Sequence, residues 1–398
     1  MDNRPLPRFL TMQNPIQHYA WGSTSALKTL FGIPNPEHQP QAEIWMGAHP
    51  KASSCVTVGG RTISLNEFIA QNPQTILGEQ TAKEFGELPY LFKVLCAAKA
   101  LSVQVHPSKE QAEKGFQREQ QSGIPLNSAQ RNYKDPNHKP ELVYALTPYQ
   151  AMNGFRSIDE IVTLFNECQL SEIKPAIAAL ENDPTPQSLA TFFKAVLSLE
   201  GEVRSHTLSQ LHLHSQKHLD EPHYALIDEL FKQYPDDIGV LAPLMLNVVL
   251  LQPGEAMFLY AGTPHAYVKG TGLEIMANSD NVLRAGLTPK HIDIDELQAN
   301  TRFETHPIDA IRLAGQPIKD GYDYPTPVDD FCFSHFSKPS VTIKTRGAEI
   351  IFAIDQDITL QYKGAEQLII HRGESAFIPA TTDEYRLQSQ GQVARAYN

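Results

Sequence analysis

Across LSVQVH, residues 101–106, apolar and polar positions alternate: Leu101, Val103 and Val105 against Ser102, Gln104 and His106. In a strand, alternate side chains point to opposite faces, so the three polar residues share one face. Short apolar, β-branched and aromatic runs bounded by Gly, Pro and Asn recur through the first 150 residues, as in SSCVTVGGRTISL, LPYLFKVLCA and ELVYAL, and they predict strands. Near residue 156 the period changes. In RSIDEIVTLFNEC, Ser157 stands three residues before Glu160, a capping-box pattern, and Ile158, Ile161, Val162 and Phe165 follow at helical spacing. Leu189, Phe192, Phe193, Val196 and Leu197 repeat that spacing, as do Tyr224, Ile227, Leu230 and Phe231. Residues 156–240 are therefore predicted to form a helical domain set into a strand-rich chain.

Strand texture returns at NVVLLQPGEAMFLYAGTPHAYVKG and again from SVTIKT to YRLQ. The two stretches carry one motif twice. Setting PGEAMFLYAGTPHAY (253–267) over RGESAFIPATTDEYR (372–386) aligns Gly254 with Gly373, Glu255 with Glu374, Phe258 with Phe377 and Ala261 with Ala380, and puts His265 opposite Glu384. Each copy resembles the second half-motif of the cupin jelly roll: Gly, five residues, Pro-x-Gly, two residues, His. The first copy has Tyr260 in place of Pro; the second keeps Pro379 but has Thr381 for Gly and Glu384 for His. The fold expected is mainly β with a helical insertion: two cupin-like jelly-roll barrels, the first catalytic, plus an α-helical domain. The expected boundaries are 1–155 with 241–310 for the catalytic barrel, 156–240 for the helices, and 311–398 for a C-terminal barrel without a metal site.

Composition narrows the function class. No run of 18 apolar residues appears, so no membrane span is expected, and MDNRPLPRFL lacks the apolar core of a signal peptide. Cys55, Cys96, Cys168 and Cys332 are far apart and form no CxxC pair, which argues for the reducing cytoplasm and against a disulfide framework or thiolate zinc site. A formal net charge of −12 disfavours nucleic-acid binding, but an anionic small ligand needs only a local cluster of Lys and Arg. A monomer is expected.

Candidate chemistry gathers at three places. Gln104-x-His106 stands where the first cupin half-motif supplies His-x-His; the bland reading is a polar patch on a half-exposed strand. DPNHKPELVYAL (135–146) places Lys139 and Glu141 on one face of an incipient strand, and residues 263–294 hold His265, Tyr267, Glu274, Asp280 and Arg284. Together these resemble the type I mannose-6-phosphate isomerases. The resemblance runs through NPIQHYAWGS (14–23), AEIWMGAHP (42–50), LPYLFKVLCAAKALSVQVHP, NHKPELVYAL and NSDNVLRAGLTPK, in family order.

By that resemblance Gln104, His106, Glu141 and His265 bind one zinc per chain. Two imidazoles, one carboxylate and one neutral oxygen suit a borderline-soft dication. Glu110 has the spacing of the generic cupin carboxylate ligand, but Ser108 can cap Gln111 there and begin a helix, which would turn Glu110 off the strand face. The implied reaction is aldose–ketose isomerisation between mannose 6-phosphate and fructose 6-phosphate through a cis-enediol. It needs a base, for which Glu274, Lys139, His138 and Asp280 are candidates. Arg284 is a permanent cation suited to enediolate or phosphate oxygens, its structural alternative being a pair with Asp280. The family pattern places Lys93 and Ser102 in the pocket, and Tyr267 is a further candidate for its lining. Lys93 lies in an apolar strand, so its structural alternative is a buried carboxylate partner.

Two other readings compete. An iron-dependent cupin dioxygenase usually has a His-rich ligand set, which Gln104 weakens. A non-catalytic sugar sensor would not be expected to keep the four ligands with Lys139 and Arg284. His212, His214 and His218 lack an HExxH context and are expected on a surface helix, and Gly270-x-Gly272 is expected at a turn between strands.

Overall fold

The computed structural model describes residues 6–398 apart from residue 365. The chain is mainly β with a helical insertion, in three layers, and the first barrel is the middle one. One wall of that barrel orders the strands Ala256–Leu259, Glu141–Ala145, His265–Ala277, Tyr90–Ala97 and Glu43–Gly47, all antiparallel. The other wall is built from Leu246–Leu251, Tyr149–Phe155, Gln104–Val105 and Leu283–Arg284 together with the first residues of His265–Ala277.

His265–Ala277 belongs to both walls, and Gly270 marks where it changes wall. Its φ is +125°, and a Cβ there would lie 2.6 Å from the Pro148 carbonyl oxygen, so no other residue fits without a shift. The expected turn at Gly270-x-Gly272 is thus corrected: both glycines lie inside a continuous strand, at a barrel corner. Gly in a strand pattern signals a turn or a close backbone approach, and here the approach decides.

Tyr90–Ala97 shows why the strand sequences lack clean polar alternation: all eight residues are buried. Leu91, Lys93 and Leu95 face inward, while Phe92, Val94 and Cys96 join the core shared with the second barrel, where Phe92 meets Phe333 and Phe352 at ring-centroid distances of 6.2 and 6.4 Å. In the second barrel one sheet runs through Gly321–Tyr324, Cys332–Ser337, Gln392–Tyr397, Glu349–Ala353 and Ser375–Ile378, then takes in Leu10–Gln13, Cys55–Val58 and Arg61–Ser64. Leu10 pairs with Phe377, so the first 150 residues contribute to both barrels. The facing sheet holds Ser340–Lys344, Glu384–Ser389, Ile358–Tyr362 and Glu366–Ile370.

The helical layer covers the other wall of the first barrel. Phe155, Ala266 and Val268 from the strands pack with Ile161, Phe165, Phe192 and Phe193 from the helices. The helix Ile158–Glu167 opens on the full capping box, with the Ser157 hydroxyl accepting from the Glu160 N–H and the Glu160 carboxylate accepting from the Ser157 N–H, each at 3.2 Å. His212 and His214 lie on the helix Gly201–Ser215, and His218 just beyond it; the rings of His214 and His218 stack 4.4 Å apart.

Candidate metal centre and substrate cavity

Ladder register brings the polar residues together. Asn153, His265, Gln104 and Arg284 lie opposite one another in a row across four strands. Cross-strand partners share a face, so one strand-to-strand row aligns Gln104, His265 and Arg284. Glu141 enters from the neighbouring wall, opposite Leu259 and Met276. His106 follows Gln104–Val105 directly.

The ligand-capable atoms of His106, Glu141 and His265 all lie within 4.8 Å of one another. His106 Nε2 is 3.3 Å from Glu141 Oε1, and His265 Nε2 is 3.7 Å from Glu141 Oε2. The remaining ring nitrogens meet backbone carbonyls: His106 Nδ1 meets Asn281 O at 2.8 Å, and His265 Nδ1 meets Thr263 O at 2.9 Å. Carbonyls only accept, so both Nδ1 atoms carry the proton and both Nε2 lone pairs face the carboxylate. Burial and then Lys139 push the His106 pKa down to about 4, and burial lowers that of His265. Burial alone would raise Glu141, but Lys139, His106 and His265 outweigh it and hold its carboxyl well below the usual range. Neutral imidazoles beside an ionised carboxylate are the state a metal requires. Among the described residues His106 Nε2 is also a buried acceptor without a hydrogen-bond partner, which a bound cation would satisfy. The residues therefore fit a divalent metal. Gln104 donates its amide to Ser102 Oγ at 3.2 Å, which leaves its carbonyl oxygen as the free end. Glu110 is elsewhere, exposed on the helix Lys109–Gln121 and paired with Lys114.

Next to this cluster is a cavity of about 490 Å³ that Gln104 and Ser102 help line. Six cations, Lys51, Lys93, Lys134, Lys139, Arg284 and Lys290, share its wall with the carboxylates Glu43 and Asp280. An acidic protein thus encloses a cationic cavity. A larger cavity, about 1010 Å³, lies at the seam between the barrels, and none of the metal-capable residues lines it.

Not every cation in the wall is free. Lys93 Nζ stands 2.7 Å from Glu274 and 3.9 Å from Glu43, so its structural alternative is the arrangement present. Burial works against the Lys93 charge, but Glu274 and Glu43 outweigh it and raise its pKa. Lys139 Nζ is 3.4 Å from Glu141. Asp280 pairs with Lys51 at 2.7 Å and faces His49 at 3.6 Å. Among the described residues Arg284 has no carboxylate within 4.0 Å, so the expected alternative pair with Asp280 is not formed. Arg284 is the largest influence lowering the Lys290 pKa, whereas burial is the largest lowering that of Lys134, with Lys51, Arg131 and then Arg284 adding to it.

Besides the buried ligands His106, Glu141 and His265, three expected catalytic or substrate residues are not in the cavity wall. His138 binds the Asp330 carboxylate at 2.9 Å and lines a separate cavity, because neighbouring residues of an extended chain point to opposite sides and Lys139 takes the inward one. Glu274 is buried behind Lys93. Tyr267 is buried too, its hydroxyl donating to Glu141 Oε2 at 2.7 Å. Trp45, His49, Lys51, Lys134 and Lys290 also line the cavity and are not among the residues expected there. Trp45, His49 and Lys290 sit in stretches already singled out; Lys51 and Lys134 occupy loops, where periodicity carries no signal.

Comparison with known proteins is consistent along the chain. Family models match in three places: phosphomannose isomerase type I, catalytic domain, over residues 9–158; its helical insertion domain over 164–246; and the mannose-6-phosphate isomerase cupin domain over 321–398. The chain belongs to the type I phosphomannose isomerase family. Within it, the mannose-6-phosphate isomerase of Escherichia coli K12 is 51% identical over 390 residues, covering 97% of this chain and 98% of that one. The Rattus norvegicus mannose-6-phosphate isomerase is 35% identical over 414 residues, covering 97% and 92%. A zinc-bound crystal structure of a mannose 6-phosphate isomerase superposes with a TM-score of 0.93 at 47% identity, covering 98% of this chain and all of that one. His265 lies outside the three matched segments and inside these near-full-length family relatives.

Proposed function

We propose that this protein interconverts mannose 6-phosphate and fructose 6-phosphate at a zinc ion held by Gln104, His106, Glu141 and His265. The observation that carries the reading is the buried His106, Glu141 and His265 cluster with its unpartnered His106 nitrogen, beside a cationic cavity, in a chain 51% identical to a bacterial mannose-6-phosphate isomerase. When bound, zinc supplies Lewis-acid stabilisation of sugar oxygens on which negative charge develops.

The reaction moves a proton between carbons 1 and 2 through a cis-enediol. Of the four candidate bases only Lys139 and Asp280 line the cavity. Lys139 is an ammonium beside Glu141, which suits it to donate toward a developing oxyanion. Asp280 is left as the proton acceptor. Burial would raise its pKa, but Lys51 and His49 outweigh that and keep it ionised. Arg284 and Lys290 line the cavity without a carboxylate partner among the described residues, and the substrate phosphate is assigned to them with Ser102 as a further donor; Lys134 is turned to the Leu126 and Ser128 carbonyls. Lys93 touches the same cavity but already serves two carboxylates, so its part is to shape the wall.

Incubating fructose 6-phosphate with the zinc-loaded protein in D2O tests the reading. Nuclear magnetic resonance is expected to show mannose 6-phosphate with deuterium at carbon 2. Absence of mannose 6-phosphate would overturn the activity, and product that stays free of deuterium on prolonged incubation would replace the enediol with a hydride shift.

A further inference from the structure

The two barrels can be superposed by register alone. In the first, the order Ala256–Leu259, Glu141–Ala145, His265–Ala277, Tyr90–Ala97 matches Ser375–Ile378, Glu349–Ala353, Gln392–Tyr397, Cys332–Ser337 in the second. The repeated motif fixes the offset, since Phe258 aligns with Phe377. Phe258 pairs with Leu142, and Phe377 with Ile350. One step along, Leu259 pairs with Glu141, and Ile378 pairs with Glu349. Glu349 therefore holds in the second barrel the position of the metal-facing carboxylate in the first. The carboxylate counterpart is Glu349, not the Glu384 that motif alignment sets opposite His265.

The surroundings match in kind rather than residue by residue, since the repeat sets Tyr267 opposite Arg386 and Tyr385 opposite Ala266. Glu349 is fully buried, and the Tyr385 hydroxyl donates to its Oε2 at 2.8 Å, as the Tyr267 hydroxyl donates to Glu141 Oε2 at 2.7 Å. Each tyrosine comes from the strand that begins at His265 or Glu384, at the end of the repeated motif. What differs is the cation: Glu141 has the single ammonium of Lys139 at 3.4 Å from Oε1, whereas Glu349 has a guanidinium on both oxygens. Arg395 Nε donates to Glu349 Oε2 at 2.9 Å and its Nη2 donates to Oε1. Arg395 lies opposite Ile351, where the first barrel has Glu274 opposite Val143. Glu274 binds Lys93 instead, and among the described residues no guanidinium pairs with Glu141. A buried carboxylate needs a positive partner.

We propose that the two barrels share one cation-holding device, a carboxylate braced by a tyrosine, which the first barrel presents to a metal ion and the second to its own Arg395. Tyr267 is then a positioning residue. By donating to Oε2 it fixes the plane of the Glu141 carboxylate, so that Oε1 faces His106 and Oε2 faces His265. Arg395 is a built-in cation that completes the second barrel without metal.

The Tyr267 half rests on the zinc reading above, and its test separates the two. In Tyr267→Phe, zinc affinity measured by chelator competition is expected to fall about tenfold or more. The KM for mannose 6-phosphate is expected to hold while kcat falls, and the melting temperature of the metal-free protein to stay within a few degrees. Unchanged zinc affinity would overturn the bracing role; wild-type protein that takes up no zinc would overturn the zinc reading itself. For the second barrel, Arg395→Ala strands Glu349. Its melting temperature is expected to drop on the order of 5–10 °C, with one zinc still bound and partial recovery in millimolar guanidinium. A variant as stable as wild type would overturn the built-in cation. Should Arg395→Ala fail to fold, the double variant Glu349→Leu with Arg395→Met is decisive: it is expected to fold because both charges are gone, and a double variant as damaged as the single would overturn the proposal.

Discussion

His106 Nε2 is buried, aimed at Glu141 and, among the described residues, without a hydrogen-bond partner, so its replacement is the sharpest test of the ligand set. His106→Ala and His265→Ala are each expected to lose zinc and at least about 100-fold in turnover, measured by elemental analysis and coupled assay. Gln104→Ala is expected to lose less, since a neutral amide oxygen contributes less attraction. Glu141→Gln is expected to be severe and Glu110→Gln silent; the reverse order would return the carboxylate ligand to the helix. Arg284→Ala and Lys290→Ala are expected to raise the KM for mannose 6-phosphate about tenfold with zinc content intact, whereas Lys93→Ala leaves Glu274 buried and unpaired and is expected to cost about 3–5 kcal/mol of stability. Much of the candidate site was legible at this scale. Polar side chains in apolar runs flag Lys93, Gln104 and His106, and the resemblance supplies Glu141 and His265. Which charges are spent was not legible: nothing local in YLFKVLCA reveals that Lys93 already holds Glu274, because that pairing is set by the register of two strands 181 positions apart in sequence.

At the scale of elements, Gly270 decides whether His265 reaches the cluster. Gly270→Ala puts a Cβ into the Pro148 carbonyl in a left-handed backbone, and is expected to lower stability by about 2 kcal/mol or more and to weaken zinc binding with it. A variant with wild-type melting and zinc content would show that the corner tolerates a side chain. Helices were the most legible elements, since the Ser157 capping box and the 3.6-residue apolar period are local signals. Strands of the middle layer were legible as strands but not by face. Buried on both sides, Tyr90–Ala97 shows no alternation to read. The Gly270-x-Gly272 corner was misread for the same reason: the atoms that require glycine come from Pro148 and Tyr149, far away in sequence.

For the whole molecule, the second barrel backs the catalytic wall, and His335 sits at that seam, stacked on Tyr144 with ring centroids 4.9 Å apart. Burial lowers its pKa below the ordinary 6.5. The unfolded chain therefore takes up this proton before the folded chain does, and the His335 contribution to stability falls as pH drops below about 6.5. His335→Gln is expected to flatten the decline in melting temperature between pH 7 and 5.5, a difference of at most about 1.4 kcal/mol per pH unit. A variant profile parallel to wild type would show that His335 does not titrate differently on folding. Two jelly rolls were legible from the repeated motif, but Leu10–Gln13 completing the distant barrel was not, because nothing in a short apolar run names its partner strand.

If the cluster of His106, Glu141 and His265 is a zinc centre that carries mannose 6-phosphate turnover, that turnover follows zinc loading. The deciding measurement adds zinc stepwise to metal-free protein and follows turnover in a coupled assay. Activity is expected to rise from near zero in proportion to zinc and to level off at one ion per chain. Full activity in the metal-free protein, or a rise that continues to two ions per chain, would contradict the zinc centre.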